Sequence, residues 1–433
     1  MSAGLPDLRP VQNNVSFNDG TGTTRGIHAE PWDKYISIAT GRIFGAWVDL
    51  RAGPTFGSAF TAELDPSRAV FVPRGVGNAF QTLEPNTVYT YLVNDHYCPD
   101  AAYSSLNVAD ETVAIPWPIP LHRAQLSERD RAHPRLSQVS PVPPRRTLVL
   151  GANGQVGRAL RTAYAGATHV EVADRQSIDL TSADLDGKRR WRDYATIINA
   201  AAFTAVDAAE SPGGREAAWA TNVSGLAALA RVAAAYDITV VHVSSDYVFD
   251  GAAIGAYRED DAVAPLGVYG QTKAAGDQIV GTLPRHYILR TSWVIGNGQN
   301  FVRTMLSLAE RGIDPRVVDD QRGRLTFTSE IARAIRHLIE GRAPYGTYNV
   351  TGSGQITSWA EIARRVFALA GRDPNRVKAV STAEYYATAS GAVAPRPMNS
   401  VLDLTKIRTT GFEPADAYES LTDYVRLQSM AIE

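Results

Sequence analysis

The sequence predicts two domains of different class, an all-β barrel or sandwich followed by an α/β domain on a doubly wound parallel sheet. Three observations carry this. Up to about residue 133, short runs of β-branched and aromatic residues recur between turns, the spacing of an all-β sandwich or barrel. From residue 147 onward, apolar strands alternate with alanine-rich helical stretches, the βαβ rhythm of a parallel sheet. Between the two, residues 134–146 carry Pro134, Pro141, Pro143 and Pro144, which exclude helix and favour an extended, semi-rigid tether.

In the first part, strands are expected at residues 35–38, 44–49, 69–72 and 88–93. Gly41, Gly53-Pro54, Pro73 and Glu84-Pro85-Asn86 punctuate them. In the second part, the strand at 147–150 runs into Gly151-Ala152-Asn153-Gly154-Gln155-Val156-Gly157 and then a helix beginning near Arg158. Glycines there allow a tight turn and close approach to a pyrophosphate, and the helix N-terminus offers free N–H groups to it. The order strand, glycine loop, helix therefore points to a dinucleotide, NADH or NADPH. The next strand ends at Asp174-Arg175. Asp174 is placed to accept from a ribose 2′-hydroxyl and Arg175 to hold a 2′-phosphate, so both cofactors stay open. Asp179 and Leu180 fall where an adenine contact is expected. Further strands are expected at 196–199, 239–244 and 287–290, with a helix over 222–236.

The strand ending Ser244-Ser245-Asp246-Tyr247 is followed by Tyr269-Gly-Gln-Thr-Lys273. Tyr269 and Lys273 share a helical face at this spacing. An ammonium beside a phenol stabilises the phenolate and lowers the tyrosine pKa, which suits proton transfer. Ser245, at the carboxyl end of a parallel strand, lies where such sheets bind ligands and is expected to bond a substrate carbonyl.

Composition bounds the rest. At 433 residues the chain suits two or three domains, and 44% hydrophobic against 20% charged residues is the balance of a globular protein with real cores. A formal net charge of −2 gives no global attraction to nucleic acid or an anionic membrane. The single Cys98 excludes an intramolecular disulfide framework and a cysteine metal cluster, in keeping with a cytoplasmic protein. No signal peptide is expected over residues 1–19, and no run approaches the roughly 18 apolar residues of a membrane span.

The residues of the second part resemble the extended short-chain dehydrogenase/reductase family, and within it the dTDP-4-dehydrorhamnose reductases, over about residues 146–430. The likeness includes the run from Asn199 through Ala200, Ala201 and Ala202 to Asp207 and Glu210. It also includes Ser245-Asp-Tyr-Val-Phe-Asp-Gly251, Arg290-Thr-Ser-Trp293, Asp320-Gln-Arg-Gly323 and Arg396-Pro-Met-Asn399-Ser400. It implies Tyr269 as proton donor, Lys273 as its tuner and Ser245, in place of the usual threonine, as the group polarising a C4 ketone. It further implies that Gly151 to Gly157 and Ala200–Ala202 hold the cofactor. Tyr247, Trp293 and Asn300 would contact a nucleotide-linked 4-keto sugar, beside a small C-terminal substrate-binding lobe.

The first part, about residues 10–133, resembles the dTDP-4-dehydrorhamnose 3,5-epimerases, a cupin-type β-barrel family. Arg25-Gly-Ile-His28, Pro54-Thr-Phe-Gly57, Tyr91, Ile115-Pro-Trp-Pro118 and Leu126-Ser-Glu-Arg-Asp130 carry the likeness. It implies His28 as the base held by Asp130, Tyr91 as the acid, Lys34 as enolate electrostatics and Arg25 as a phosphate contact. No metal is expected: there is no His-x-His pair, and Asn78 stands where the family shows histidine. Gly45 and Leu92 also depart from it, replacing an aspartate and a lysine. The barrel begins almost directly at Val11, so its first strands are expected to be short. The family pairs its barrels by strand exchange, which implies a homodimer. Two consecutive activities on one chain are the resulting expectation, with a reductase carrying a non-catalytic β domain as the alternative.

Overall fold

The computed structural model describes residues 8–99, 101–182, 184–387 and 391–430, and the chain divides into two compact units, Met1–Pro144 and Arg145–Glu433. The first seven residues of the stretch read for a signal peptide lie outside the described residues.

Eight strands build the first unit: β1 (Gln12–Asn18), β2 (Thr23–Ala29), β3 (Lys34–Thr40), β4 (Ile43–Asp49), β5 (Ala59–Leu64), β6 (Ala69–Val72), β7 (Val76–Thr82) and β8 (Thr87–Val93). β1 pairs β8, β2 pairs β7, β3 pairs β6 and β4 pairs β5, all antiparallel. The chain is thus one long hairpin, and the pairings β3 with β8 and β4 with β7 roll it up. The result is two sheets of order β1-β8-β3-β6 and β2-β7-β4-β5, the jelly-roll arrangement of cupins. Short strands β9 (Ser104–Ser105) and β10 (Gln125–Leu126) add to β2. Ile36, Ile38, Ile43, Trp47 and Tyr89 fill one part of the interior, and Ile27, Ala46, Val48, Leu50 and Leu106 the other.

The proline-rich segment is a correction to the expected tether. It belongs to the first unit: Leu136–Gln138 forms a 3₁₀ turn, and Val139 and Val142 are buried in that unit's core. The Val142 N–H donates to the Leu50 carbonyl at 2.7 Å. Prolines at 141, 143 and 144 give up donors on either side of this bond while fixing an extended backbone, so the segment lies along the barrel instead of swinging free.

The second unit carries a six-stranded parallel sheet of β11 (Arg146–Leu150), β12 (Val170–Ala173), β13 (Tyr194–Asn199), β14 (Thr239–Ser245), β15 (His286–Thr291) and, later in the chain, Gly346–Asn349. Its order runs β12-β11-β13-β14-β15 and then the last strand. The direction of winding therefore reverses between β11 and β13, and ligands of open α/β sheets bind at such a switch. The helices that position the site are α1 (Glu128–Arg131) in the first unit, then α2 (Gln155–Ala163), α3 (Pro212–Trp219), α4 (Leu226–Tyr236) and α5 (Val268–Gly281). The helix expected over 222–236 is α4 preceded by a π-helical turn, Ala220–Gly225. There Asn222 accepts from the Phe203 N–H at 2.8 Å and donates to the Thr272 hydroxyl at 3.0 Å, tying the turn to α5. A smaller lobe packs α6 (Phe301–Glu310) and the helix Trp359–Leu369 around Val302, Leu306, Ile362 and Phe367.

Candidate active sites

At the switch point, Gly151 has φ +82° and its backbone passes so close to the β13 loop that a Cβ would stand 2.6 Å from the Ala201 nitrogen. A Cβ on Gly157 would meet the Gly151 carbonyl oxygen at 2.1 Å, so that glycine lets α2 press onto the loop. A Cβ on Gly154 would stand 3.3 Å from the Gly151 carbonyl oxygen, and Gly154 is the N-cap of α2, which no side chain caps. The first N–H groups of α2, over Gln155, Val156 and Gly157, are thus offered to a ligand. A cavity of about 310 Å³ lies in front of them. Gly151, Asn153, Gly154, Asp174, Arg175, Asp179, Leu180 and Ala200–Ala202, among the expected cofactor residues, line it together with Ile178, Phe203 and Thr221. The residues present fit a dinucleotide.

Asp174 accepts from Ser177 N–H and Oγ at 3.0 and 2.9 Å and from Asn153 Nδ2 at 3.3 Å. The Ser177 bonds hold its carboxyl below the usual range. Arg175 is exposed and bonds Asp179 at 3.2 Å. We predict that Gly157→Ala separates α2 from the loop, lowering stability by about 1–3 kcal/mol and weakening dinucleotide binding at least tenfold. Thermal unfolding and a fluorescence titration check this, and an unchanged dissociation constant would sink it.

Ser245 ends β14, and Tyr269 and Lys273 sit on the first turns of α5, whose first N–H, from Val268, donates to Glu210 at 2.7 Å. A Cβ on Gly270 would fall 2.2 Å from the Tyr247 carbonyl, and this close packing sets the Tyr247 and Tyr269 rings edge to face at 5.6 Å. The Ser245 hydroxyl donates to Asp246 at 2.9 Å, and burial pushes the Asp246 carboxyl up to about 6. Lys273 is fully buried, donates to the Val243 carbonyl at 2.7 Å and lies 3.2 Å from His242 Nε2.

Here the expected tuning is corrected. Burial pushes the Tyr269 phenol up from its ordinary value, and the Asp246 charge adds to this, while a Ser245 hydrogen bond opposes it. Lys273 is turned toward β14, and its own pKa is lowered to about 8 by burial.

Two of the expected substrate contacts also make contacts within the smaller lobe. Asn300 is occupied as the N-cap of α6, accepting from Arg303 N–H, while its Nδ2 donates to Gly296, Gly298 and Tyr424. Trp293, half-buried, stacks on Trp359 at 4.0 Å over Gly323. Residues not singled out by function include His242, and Arg396, which holds Asp207 with two 2.8 Å bonds. A histidine within an otherwise apolar buried strand was the available signal for the first.

In the first unit, His28 Nε2 lies 2.9 Å from Asp130 Oδ1, and the Asp130 side chain is only 3% exposed. Asp130 sits on α1, where Ser127 caps it. Burial opposes its ionisation, but bonds from His28 and Ser127 outweigh this and hold its carboxyl below the usual range. His133 stands edge to face with His28 at 5.2 Å. His28, Asp130 and His133 offer ligand atoms within 4.8 Å of one another, but the 2.9 Å contact is the geometry of a hydrogen-bonded dyad. On β8, Tyr91 faces Lys34, whose ammonium lies 5.3 Å from the ring centroid. Burial lowers the Lys34 pKa against the opposing charge of its ion-pair partner Glu30. Arg25 is exposed, and its guanidinium donates to the Thr24 and Gln125 carbonyls.

The departures have structural causes. Asn78 pairs with His28 across the β2–β7 ladder and donates to the Tyr89 hydroxyl at 3.0 Å. A Cβ on Gly45 would stand 2.3 Å from the Trp47 ring, so this barrel has no room for an aspartate there.

A glycine-looped Rossmann sheet with a strand-end serine beside a Tyr/Lys helix defines a short-chain-type reductase, here preceded by a cupin barrel with a histidine–aspartate dyad. The chain belongs to the family of the RmlD substrate binding domain, whose model matches residues 145–429. Residues 1–138 match the model of dTDP-4-dehydrorhamnose 3,5-epimerase. A dTDP-4-dehydrorhamnose reductase of Aggregatibacter actinomycetemcomitans is 38% identical over 296 residues, 64% of this chain and 97% of that protein. A Streptococcus pyogenes protein named an RmlC homolog is 49% identical over 138 residues, 31% of this chain and 69% of that protein. A solved Bacillus anthracis dTDP-4-dehydrorhamnose reductase, in complex with NADP, superposes with TM-score 0.59 at 32% identity, covering 66% of this chain and 99% of that one.

Proposed function

We propose that this chain performs two consecutive steps toward dTDP-L-rhamnose: 3,5-epimerisation of dTDP-4-dehydro-6-deoxyglucose, then NADPH- or NADH-dependent reduction of the C4 ketone. The observation that carries the reading is the presence of two sets of groups on one chain, His28–Asp130 with Tyr91 and Lys34, and Ser245 with Tyr269 and Lys273.

In the barrel, His28 removes the proton α to the ketone, and Asp130 orients the imidazole and stabilises it when charged. Tyr91, which burial keeps protonated, returns a proton from the opposite face. Lys34 steadies the enolate oxygen, and Arg25 meets a phosphate. In the second unit, a dinucleotide held at the α2 N-terminus would supply the hydride for C4. Tyr269 gives its proton to the ketone oxygen, Ser245 turns its hydroxyl from Asp246 to that oxygen, and Tyr247 walls the sugar. The N-terminus of α2 meets the pyrophosphate, and Asp174 or Arg175 meets the adenosine ribose. A cytoplasmic setting suits a chain whose single cysteine is Cys98; among the described residues no helix is long and apolar enough to cross a membrane.

A coupled assay tests this. Purified protein given the 4-keto sugar and NADPH or NADH, without added epimerase, should yield the L-rhamnose product. Turnover only after an epimerase is supplied would leave a reductase with a substrate-binding or assembly β domain. A homodimer through the barrels completes the reading: on edge strand β1, Val15 and Phe17 are 66% and 64% exposed, two apolar side chains that pairing of this edge would cover. Sedimentation at micromolar concentration should give a dimer, and a monomer would refute this part.

A further inference from the structure

Beside the His28–Asp130 dyad stands a second imidazole that the proposed chemistry leaves unused. His133 lies just past α1, and its Nε2 is 4.0 Å from Asp130 Oδ1, the same atom that His28 Nε2 meets at 2.9 Å. The His133 side chain is only 8% exposed, and its Nδ1 is buried with no hydrogen bond of normal geometry. At 4.0 Å its Nε2 is also beyond hydrogen-bonding reach of the carboxylate. A polar ring buried on such terms is destabilising unless a ligand engages it.

The donor set suits zinc. Two imidazole nitrogens and one carboxylate oxygen lie within 4.8 Å of one another. Zinc bonds of roughly 2.0–2.2 Å in a tetrahedron place neighbouring ligand atoms about 3.4 Å apart. The 2.9 and 4.0 Å separations straddle that value, and the His28 side chain, 38% exposed, has room to turn the short distance required. The Asp130 N–H donates to Ser127 Oγ at 3.0 Å, which anchors the carboxylate's backbone. Solvent supplies a fourth ligand. Hard cations such as Mg²⁺ prefer oxygen and are poorly served by two imidazoles.

We propose that His28, Asp130 and His133 form an inhibitory Zn²⁺ site that switches off the base of the barrel. The inference rests on the reading of His28 as that base. A carboxylate can only accept, so in the metal-free dyad His28 Nε2 carries the proton and Nδ1 keeps the lone pair that attacks the substrate. Zinc takes the lone pair of Nε2, so the proton leaves that nitrogen and the neutral ring carries one on Nδ1 instead. Nδ1 then has nothing with which to remove the proton α to the ketone. The ion lies on the Asp130 side of the ring, away from Nδ1, so the loss falls on kcat and substrate affinity is kept.

The test takes the full chain, stripped with a chelator, and titrates it with ZnCl₂ alone. Calorimetry should show a zinc site of micromolar or tighter affinity, weakened at least tenfold in His133→Gln, while MgCl₂ gives no binding. Exchange of the C3 and C5 protons for solvent deuterium, each protein compared with its own zinc-free rate, should fall at least tenfold at saturation with KM unchanged. Chelator should restore it, and reduction of a sugar already epimerised should continue throughout. Absence of micromolar zinc binding, equal affinity in His133→Gln, or exchange that persists at saturating zinc would each overturn the proposal. Should that variant not fold, cobalt(II) replaces zinc in the unmodified chain, and the lack of the visible bands of a tetrahedral site overturns it. A chain that binds zinc through His133 but exchanges no deuterium even without the ion confirms the site and refutes the epimerase reading instead.

Discussion

Tyr269→Phe is expected to lower reduction of the 4-keto sugar by roughly 10³-fold, about 4 kcal/mol of transition-state stabilisation, while leaving dinucleotide affinity within a few fold. The phenol is the group aimed from α5 at the mouth of the sheet beside Ser245, and burial keeps its proton in place. Phenylalanine preserves the ring and its edge-to-face contact with Tyr247 at 5.6 Å, so the loss should fall on kcat and not on folding. Stopped-flow absorbance of the reduced nicotinamide measures it. A variant retaining more than a tenth of the activity would remove Tyr269 from the role of acid and, with it, the reductase mechanism proposed above.

The second large effect belongs to the barrel. His28→Asn should abolish exchange of substrate protons at C3 and C5 for solvent deuterium, by roughly 10³-fold. Reduction of a sugar already epimerised should continue in the same variant, because the two sets of residues lie in separate compact units. Asp130→Asn should lower exchange by a smaller factor, since the amide still contacts the imidazole but no longer stabilises its charge. Exchange in His28→Asn at the unmodified rate would demote the β domain to substrate capture or assembly.

Local pattern made most of the α/β half readable. The glycine loop announces itself because each glycine meets a separate steric demand: positive φ at Gly151, a close loop carbonyl at Gly154 and helix contact at Gly157. The Tyr269–Lys273 spacing is equally local. The barrel was harder to read. Strands β3, β4, β6 and β8 show runs of β-branched and aromatic residues, but β1 and β5 are edge strands with mixed burial. β7 reads as Val-Gly-Asn-Ala-Phe-Gln-Thr and is buried by its neighbours, not by its own hydrophobicity. Asn300 and Trp293 were expected as substrate contacts from the family resemblance, and only the packing of the smaller lobe shows that they also serve as a helix cap and one half of a tryptophan stack.

By itself the sequence determined the two domain classes and the strand, glycine-loop, helix order of the dinucleotide loop, because these depend on residue types a few positions apart, whereas the acids and bases proposed for the barrel came from its resemblance to a family. Tertiary structure decided the rest. It turned a proline-rich tether into part of a barrel, by giving the Val142 N–H a carbonyl partner and its side chain a core. It brought Asp130 to His28 across about a hundred residues of chain. It also set Lys273 against His242 instead of Tyr269, and burial there reversed the expected direction of the tyrosine's pKa. Desolvation and donor–acceptor matching depend on what surrounds a group in three dimensions, and no local pattern of residues carries that information.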